Sequence, residues 1–418
     1  MTKRTILIVL VLIFAIPFST YGQLKKEAKS IKTGIDILVE NDFSILKGKR
    51  IGLITNATGL SYSLKPTIDI LHEAEGVELV ALYGPEHGAR GEIAAGDKVD
   101  DYKDEVTGVT VYSLYGNTRK PTKEMLEGVD VLVYDIQDIG VRSYTYISTM
   151  GLAMEAASEH EIEFVVLDRP NPLGGNKIEG NIAEEGFFSF VSQYPIPYVY
   201  GLTPGEVAKM INEEGWLGDH ARVSLTVVEM EGWNRSMTFE ETGLHWVPTS
   251  PHIPNANSAY FYVSTGIMGE LGVFSEGVGY TLPFQLFGAE WIEERALAEK
   301  MNALEIPGVE FRPVVYKPFY GRDEGKTLHG VQIHFSDYVK AELMLLQYYF
   351  MQVHNELYPN RDVFKQGENR WSMFDKVSGS DEVRKSFMKT YKVDDIRSFL
   401  NKDVDSFRKK SQQYYLYN

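Results

Sequence analysis

Between residues 50 and 233, short apolar runs alternate with stretches whose apolar residues recur every three or four positions. The runs predict six strands: "RIGLITN" (50–56), "VELVALYGPE" (77–86), "VTVYSLYG" (109–116), "VDVLVYDIQDIG" (129–140), "IEFVVLDRPNP" (162–172) and "VSLTVVEMEGW" (223–233). The helical spacing falls on 63–76, 144–160 and 203–218. Pro66 is tolerable only in the first turn of its helix. Thr203 is suited to the N-cap and Pro204 to the first helical position. Alternation of this kind predicts a parallel sheet covered on both faces, and runs such as "VLVYDI" and "FVVLD" suit strands buried on both sides. Asn56, Glu86, Asp135 and Asp168 would then follow the carboxyl ends of their strands, the edge at which open α/β sheets bind ligands.

After "HWVPTSPHIPN" (245–255) the pattern becomes mixed, and proline and aromatics become dense. Segments 290–304 and 340–357 read as helices, 308–316 and 328–335 as strands. The expected fold is α/β: a Rossmann-like parallel-sheet domain over 33–248, and a smaller α+β domain over 249–418 that closes a cleft.

The first residues change the picture of where the protein works. Lys3 and Arg4 precede a short apolar stretch, Ile6 to Phe18, and small and turn residues follow at Ser19 to Gly22. This is the pattern of a cleavable signal peptide over 1–22, too short for a confident membrane span. It implies an exported protein, periplasmic or extracellular, with no stable membrane insertion of the mature chain. There is no cysteine, so neither disulfides nor lipid attachment through a thiol is available, and stability must come from the core. The formal net charge of −16 disfavours nucleic acid and anionic membrane surfaces as partners.

Several chemistries lack their signatures. "GLITNATG" does not have the dinucleotide glycine order, and no phosphate-binding G-x-x-x-x-G-K-[ST] occurs. No H-E-x-x-H or histidine pair at helical spacing argues for zinc. No G-x-S-x-G elbow argues for a serine nucleophile. Neither cofactor nor metal is therefore expected.

Carboxylates are the richer signal. "YGPEHGARGE" (83–92) sets Glu86, His87, Arg90 and Glu92 among glycines that permit close backbone approach to a ligand. "YDIQDIGVRSYTY" carries Asp135, Gln137, Asp138, Arg142, Tyr144 and Tyr146. "LDRPNPLGG" carries Asp168, Arg169 and Asn171; His252 and Glu276 lie further on. Cleavage of a glycosidic bond needs a protonated carboxylic acid at the leaving oxygen and a base, nucleophile or substrate group on the other face. Arginine suits a sugar acid, and tyrosines can pack on sugar rings. Each residue also has a plain structural reading: Asp135 and Asp168 as helix caps, Arg142 and Arg169 as their ion-pair partners, Tyr144 or Tyr146 as core.

Taken together with "ITNATG", "PIPYVYGLTPGE", "WVPTSPHIPN", "EGVGYTLPF" and "HGVQIH", these blocks resemble the exo-β-N-acetylmuramidase (NamZ-type) family over roughly 33–418. The resemblance implies an interdomain active site and release of terminal N-acetylmuramic acid from the non-reducing end of peptidoglycan fragments. It implies Glu92 as catalytic acid, with Glu86, His87 and Arg90 in the same block. Asp135 joins the catalytic candidates by position and chemistry. Asn56, Arg90, Gln137, Asp138, Arg142, Tyr144, Tyr146, Asp168, Arg169, Asn171, His252 and Glu276 are expected to bind substrate, and the lactyl carboxylate would call for Arg90, Arg142 or Arg169. Two other classes stay open: a muropeptide- or sugar-binding protein without turnover, and a cell-wall esterase or amidase.

Overall fold

The computed structural model describes residues 31–91, 101–116 and 118–418. The expected signal peptide and Glu92 lie outside the described residues.

The first half forms α1 (Gly34–Glu40), β1 (Arg50–Thr55), α2 (Thr67–Glu73), β2 (Glu78–Gly84), β3 (Tyr102–Lys103), β4 (Thr110–Ser113), β5 (Val131–Asp135), α3 (Tyr146–Glu159), β6 (Glu163–Leu167), α4 (Pro204–Glu213) and β7 (Leu225–Val228). All six expected strands are present. The sheet order is β3-β4-β2-β1-β5-β6-β7, parallel except for β3. Leaving out that two-residue edge strand, the order is the 3-2-1-4-5-6 winding of Rossmann sheets, with its switch point between β1 and β5. Two apolar layers bury the strands. Ile51, Leu53, Val131 and Val133 face the side of α1 and α2, while Ile54, Leu132, Tyr134 and Phe164 face that of α3 and α4.

Local signals explain the ends of the helices. Thr203 caps α4 as a capping box with Glu206, and Pro204 occupies the first turn. Thr33 and Asp36 cap α1 in the same way; this helix and β3 were not expected from the pattern, being only seven and two residues long.

The second half forms α5 (Ser258–Gly269), β8 (Leu286–Ala289), α6 (Glu294–Asn302), β9 (Val309–Tyr316), β10 (Leu328–Phe335) and α7 (Leu346–Leu357). Five short helices follow: α8 (Val363–Gln366), α9 (Trp371–Ser378), α10 (Glu382–Thr390), α11 (Asp394–Asn401) and α12 (Val404–Ser411). Its sheet is antiparallel, in the order β8-β10-β9. The apolar core on the α3 side of the large sheet continues into α5, α7 and the later helices, so the two halves share one interior.

After α12 the chain returns to the first half. The Tyr417 hydroxyl donates to Asp168 at 2.6 Å and accepts from Met230 N at 2.9 Å. Leu416 N donates to Glu206, and Arg235 N donates to the Asn418 carbonyl.

Candidate active site

The loop after β2 is shaped by backbone conformations that side chains rarely adopt. His87, Gly88 and Gly91 have φ of 77°, 80° and 83°. For His87 the left-handed conformation costs about 1–2 kcal/mol, which the surrounding contacts must offset. The loop folds back so closely that a Cβ on Gly84 would lie 2.9 Å from Ala89 N. Gly91, the residue before Glu92, packs on Ala57 of the loop after β1; a Cβ there would lie 2.8 Å from the Ala57 Cβ.

This loop opens onto a cavity of about 170 Å³ lined by Glu86, His87, Ser143, Tyr144, Thr145, Tyr146, Ser250, His252 and Tyr262. The lining comes from the carboxyl edge of the sheet, the connector near 250 and α5, so both halves of the chain contribute. The Tyr115 hydroxyl, just beyond β4, donates to the Glu86 carboxylate. Tyr144 and Tyr146 pack edge to face with ring centroids 5.0 Å apart. Their hydroxyls engage Thr249, one through its hydroxyl at 2.6 Å and the other through its carbonyl, which fixes the connector that carries Ser250 and His252. The Tyr146 hydroxyl also meets the side chain of Asn56. Asn56 in turn accepts from Thr58 N and Thr58 Oγ1 at 2.9 and 2.6 Å. Tyr262 and Ser143 share a hydrogen bond at 3.2 Å. The His252 ring stacks on Tyr320, 6.0 Å between centroids. Burial, and then the neighbouring His87, push the His252 imidazole below its ordinary pKa, favouring its neutral form.

Beneath the cavity lies Asp138, whose Oδ2 accepts from Gly140 N at 2.7 Å and from the Tyr200 hydroxyl. Burial raises this carboxyl to about 6, against the lowering effect of those hydrogen bonds.

The structure places the other candidates away from the cavity lining. Asp135, expected as a catalytic group, is fully buried and takes two donors from Arg169, at 2.5 and 2.9 Å, and one from Thr67. It is the counter-ion of Arg169. Asp168 accepts from Thr203 Oγ1, Gly205 N and Tyr417, and so fastens the start of α4. Burial raises its carboxyl to about 7. Arg142 is fully buried, and its guanidinium donates to the carbonyls of Asn181, Ile196, Val377 and Ser378, which ties the two halves together. Arg90 bridges Asp104 at 2.5 Å and Asp69 at 2.7 Å, anchoring the His87 loop to the β3–β4 edge. The same guanidinium pulls the Asp104 carboxyl down to about 2. All three arginines expected to read a lactyl carboxylate therefore have structural partners.

Gln137 donates to the carbonyls of Asp138 and Pro170, and Asn171 bonds Leu202 O and Leu173 N. Gly140, at φ 77°, must lack a side chain, because its Cβ would fall 2.3 Å from Asn171 Oδ1. Glu276 sits in the second half, 3.4 Å from Arg322 and packed against Gly269, with burial raising its carboxyl above the ordinary range. A larger groove of about 600 Å³, between 173–179, 235–238 and 336–339, contains none of the candidate residues.

Sequence reasoning passed over Ser143, Thr145, Tyr262 and Tyr115. Tyr262 is helical and surrounded by apolar residues, so its pattern was indistinguishable from core. Tyr115 ends an expected strand, as Glu86 does, and that shared position was the available signal.

The fold and site define a two-domain α/β protein: a Rossmann-type sheet whose ligand edge is roofed by a second domain and lined with carboxylate, imidazole and hydroxyl groups rather than a phosphate-binding turn. Family models described as the N-terminal and C-terminal parts of exo-beta-N-acetylmuramidase NamZ match residues 51–257 and 260–417. The chain belongs to the exo-β-N-acetylmuramidase NamZ family. It is 45% identical over 396 residues to the peptidoglycan beta-N-acetylmuramidase NamZ of Bacillus subtilis (strain 168), covering 95% of this chain and 93% of the relative. Two crystal structures of DUF1343 family proteins from Bacteroides fragilis NCTC 9343 share the fold. One has a TM-score of 0.89 at 57% identity, the other 0.76 at 29%, and each alignment covers 93% of this chain and 99% of the other.

Proposed function

We propose that this chain is an exported exo-acting glycoside hydrolase. It releases terminal N-acetylmuramic acid from the non-reducing end of peptidoglycan fragments during cell-wall turnover. The observation that carries the reading is the joint one: 45% identity to a peptidoglycan beta-N-acetylmuramidase, with the Glu86–His87 loop opening onto a cavity walled by tyrosines and histidines. Export rests on the basic and apolar pattern of residues 3 to 18.

Glu92 is the general acid in this proposal, protonating the leaving oxygen. Glu86, oriented by Tyr115, replaces Asp135 as the second carboxylate, because Asp135 is consumed by Arg169. His87 hydrogen-bonds the sugar or tunes Glu92. The opposite face of the anomeric carbon is attacked either by a water activated at Glu86 or by the substrate's own acetamido oxygen.

The test is turnover of a chromogenic β-N-acetylmuraminide by the purified protein, with products identified by mass. Free N-acetylmuramic acid is the expected product. Binding without cleavage would support a binding protein, and a shortened peptide would support an amidase. Glu92→Gln keeps the size of the side chain and removes its proton; activity near wild type in that variant would remove Glu92 from the acid role.

A further inference from the structure

The His252 ring, part of the cavity lining, lies against a ring that is itself open to solvent. Tyr320 stacks on it with centroids 6.0 Å apart and planes 13° from parallel, yet Tyr320 remains 39% exposed. Phe319, 5.3 Å from Tyr320 between centroids, is 59% exposed. Both belong to the loop between β9 and β10, so the second half of the chain carries them to the cavity wall.

The backbone of this loop is fixed on the glycine-rich turn of "EGVGYTLPF" (276–284). Phe319 N donates to Gly279 O at 2.9 Å, and Gly325 N closes the loop on Pro318 O at 2.9 Å. Arg322 donates to the Phe274 carbonyl and pairs with Glu276 at 3.4 Å. Gly279, at φ 92°, must lack a side chain, because a Cβ there would fall 2.3 Å from the Tyr320 carbonyl. Two solvent-exposed rings are thus held in place before any ligand arrives, which lowers the entropy that binding would otherwise cost.

An exo-acting hydrolase encloses one terminal sugar, and the rest of the saccharide has to leave through the mouth of the pocket. Tyr320 continues the His252 wall of the cavity into solvent, on that path. A tyrosine ring offers a flat apolar face with a polar rim and few torsions to order, which suits the apolar face of a pyranose.

Resting on the muramidase reading, we propose that Tyr320, flanked by Phe319, forms the subsite for the leaving sugar. The residue on the reducing side of the scissile bond packs on these rings while the terminal muramic acid fills the cavity. The rings touch the leaving sugar and no reacting atom, so they set the preference for the leaving group. Burial of one ring face against a sugar is worth about tenfold in affinity.

The experiment compares kcat/KM for two substrates: N-acetylmuramic acid β-linked to N-acetylglucosamine, and the methyl β-glycoside of N-acetylmuramic acid. Methanol and a sugar hydroxyl leave with similar basicity, so the ratio reads the second ring. Wild type is expected to favour the disaccharide by about tenfold or more. Tyr320→Ala should lower that ratio by about tenfold, Phe319→Ala by less, and Tyr320→Trp should retain it. A wild type without the preference, or a Tyr320→Ala variant in which both substrates fall equally or neither falls, overturns the subsite. A wild type that cleaves neither compound overturns the enzyme reading instead. The same ratio is then read from calorimetric Kd values of the two uncleaved compounds, and its loss in Tyr320→Ala upholds the subsite while its persistence overturns it.

Discussion

Arg169 closes on Asp135 through Nε and Nη2, at 2.5 and 2.9 Å, at the switch point of the sheet where neither side chain reaches solvent appreciably. The third donor to Asp135 is Thr67, at the start of α2, and Arg169 also donates to Leu60 O. The pair therefore joins the loops after β1, β5 and β6. Removing one partner leaves a buried charge uncompensated, which costs about 3–5 kcal/mol. Asp135→Asn and Arg169→Leu are expected to lower unfolding free energy in urea by that order. Asp135→Asn with unchanged stability and abolished turnover would instead mark Asp135 as a reacting group.

Glu86 combines a position in the cavity with a hydroxyl donor dedicated to it. Glu86→Gln should reduce kcat by about 10²-fold, with little change in stability. Tyr115→Phe removes only the orienting hydrogen bond and should cost about tenfold or less in kcat. Steady-state kinetics with the chromogenic muraminide separates the two. A larger effect of Tyr115→Phe than of Glu86→Gln would contradict the order of roles assigned here.

Asp138 sets a pH dependence of stability. Its folded carboxyl is raised to about 6 by burial, above the ordinary 3.8, so the native state holds the proton more tightly than the unfolded chain. The corresponding stability is fully present below the unfolded value and is lost as pH rises through about 6. Asp138→Asn mimics the protonated form. It should flatten the fall of the thermal midpoint between about pH 4 and 6, without changing the midpoint at the acidic end of that window. An identical slope in the variant would show that another group carries it.

Arg142 predicts a stability defect without a binding defect. It supplies donors to Asn181 and Ile196 on one side and to Val377 and Ser378 on the other. Arg142→Met keeps much of the volume and leaves those carbonyls without the donor, at about 1–3 kcal/mol for each that finds no water. Thermal unfolding should move down by several degrees, while KM for the muraminide at a temperature where the variant is folded should stay within about twofold. A selective rise in KM would return Arg142 to the substrate.

The strands and the ligand edge of the sheet were legible because a parallel strand buried on both faces has to be a short unbroken apolar run, and polar residues gather where such runs stop. Thr203 and Pro204 likewise announced the start of α4. What no local pattern carries is pairing across long separations. Arg142, Arg169 and Arg90 have the right charge for a sugar acid, and only the folded chain shows that their donors are already engaged. The short helices α8 to α12 run for only four to nine residues each, too few turns for an apolar spacing to stand out, so their segment read only as mixed.

The return of residues 414–418 to the first sheet has a consequence for how the protein is made. Asp168 leaves the ribosome 249 residues before Tyr417, and Glu206 leaves it 210 before Leu416. Throughout that interval of translation the nascent Rossmann sheet carries carboxylates whose final donors do not yet exist. It also lacks the shared interior that the later helices supply. Vectorial synthesis thus delivers the sheet and the loop after β2 early and the contacts of Leu416 and Tyr417 late, so a translating ribosome holds a sheet that is threaded in the right order but not yet locked.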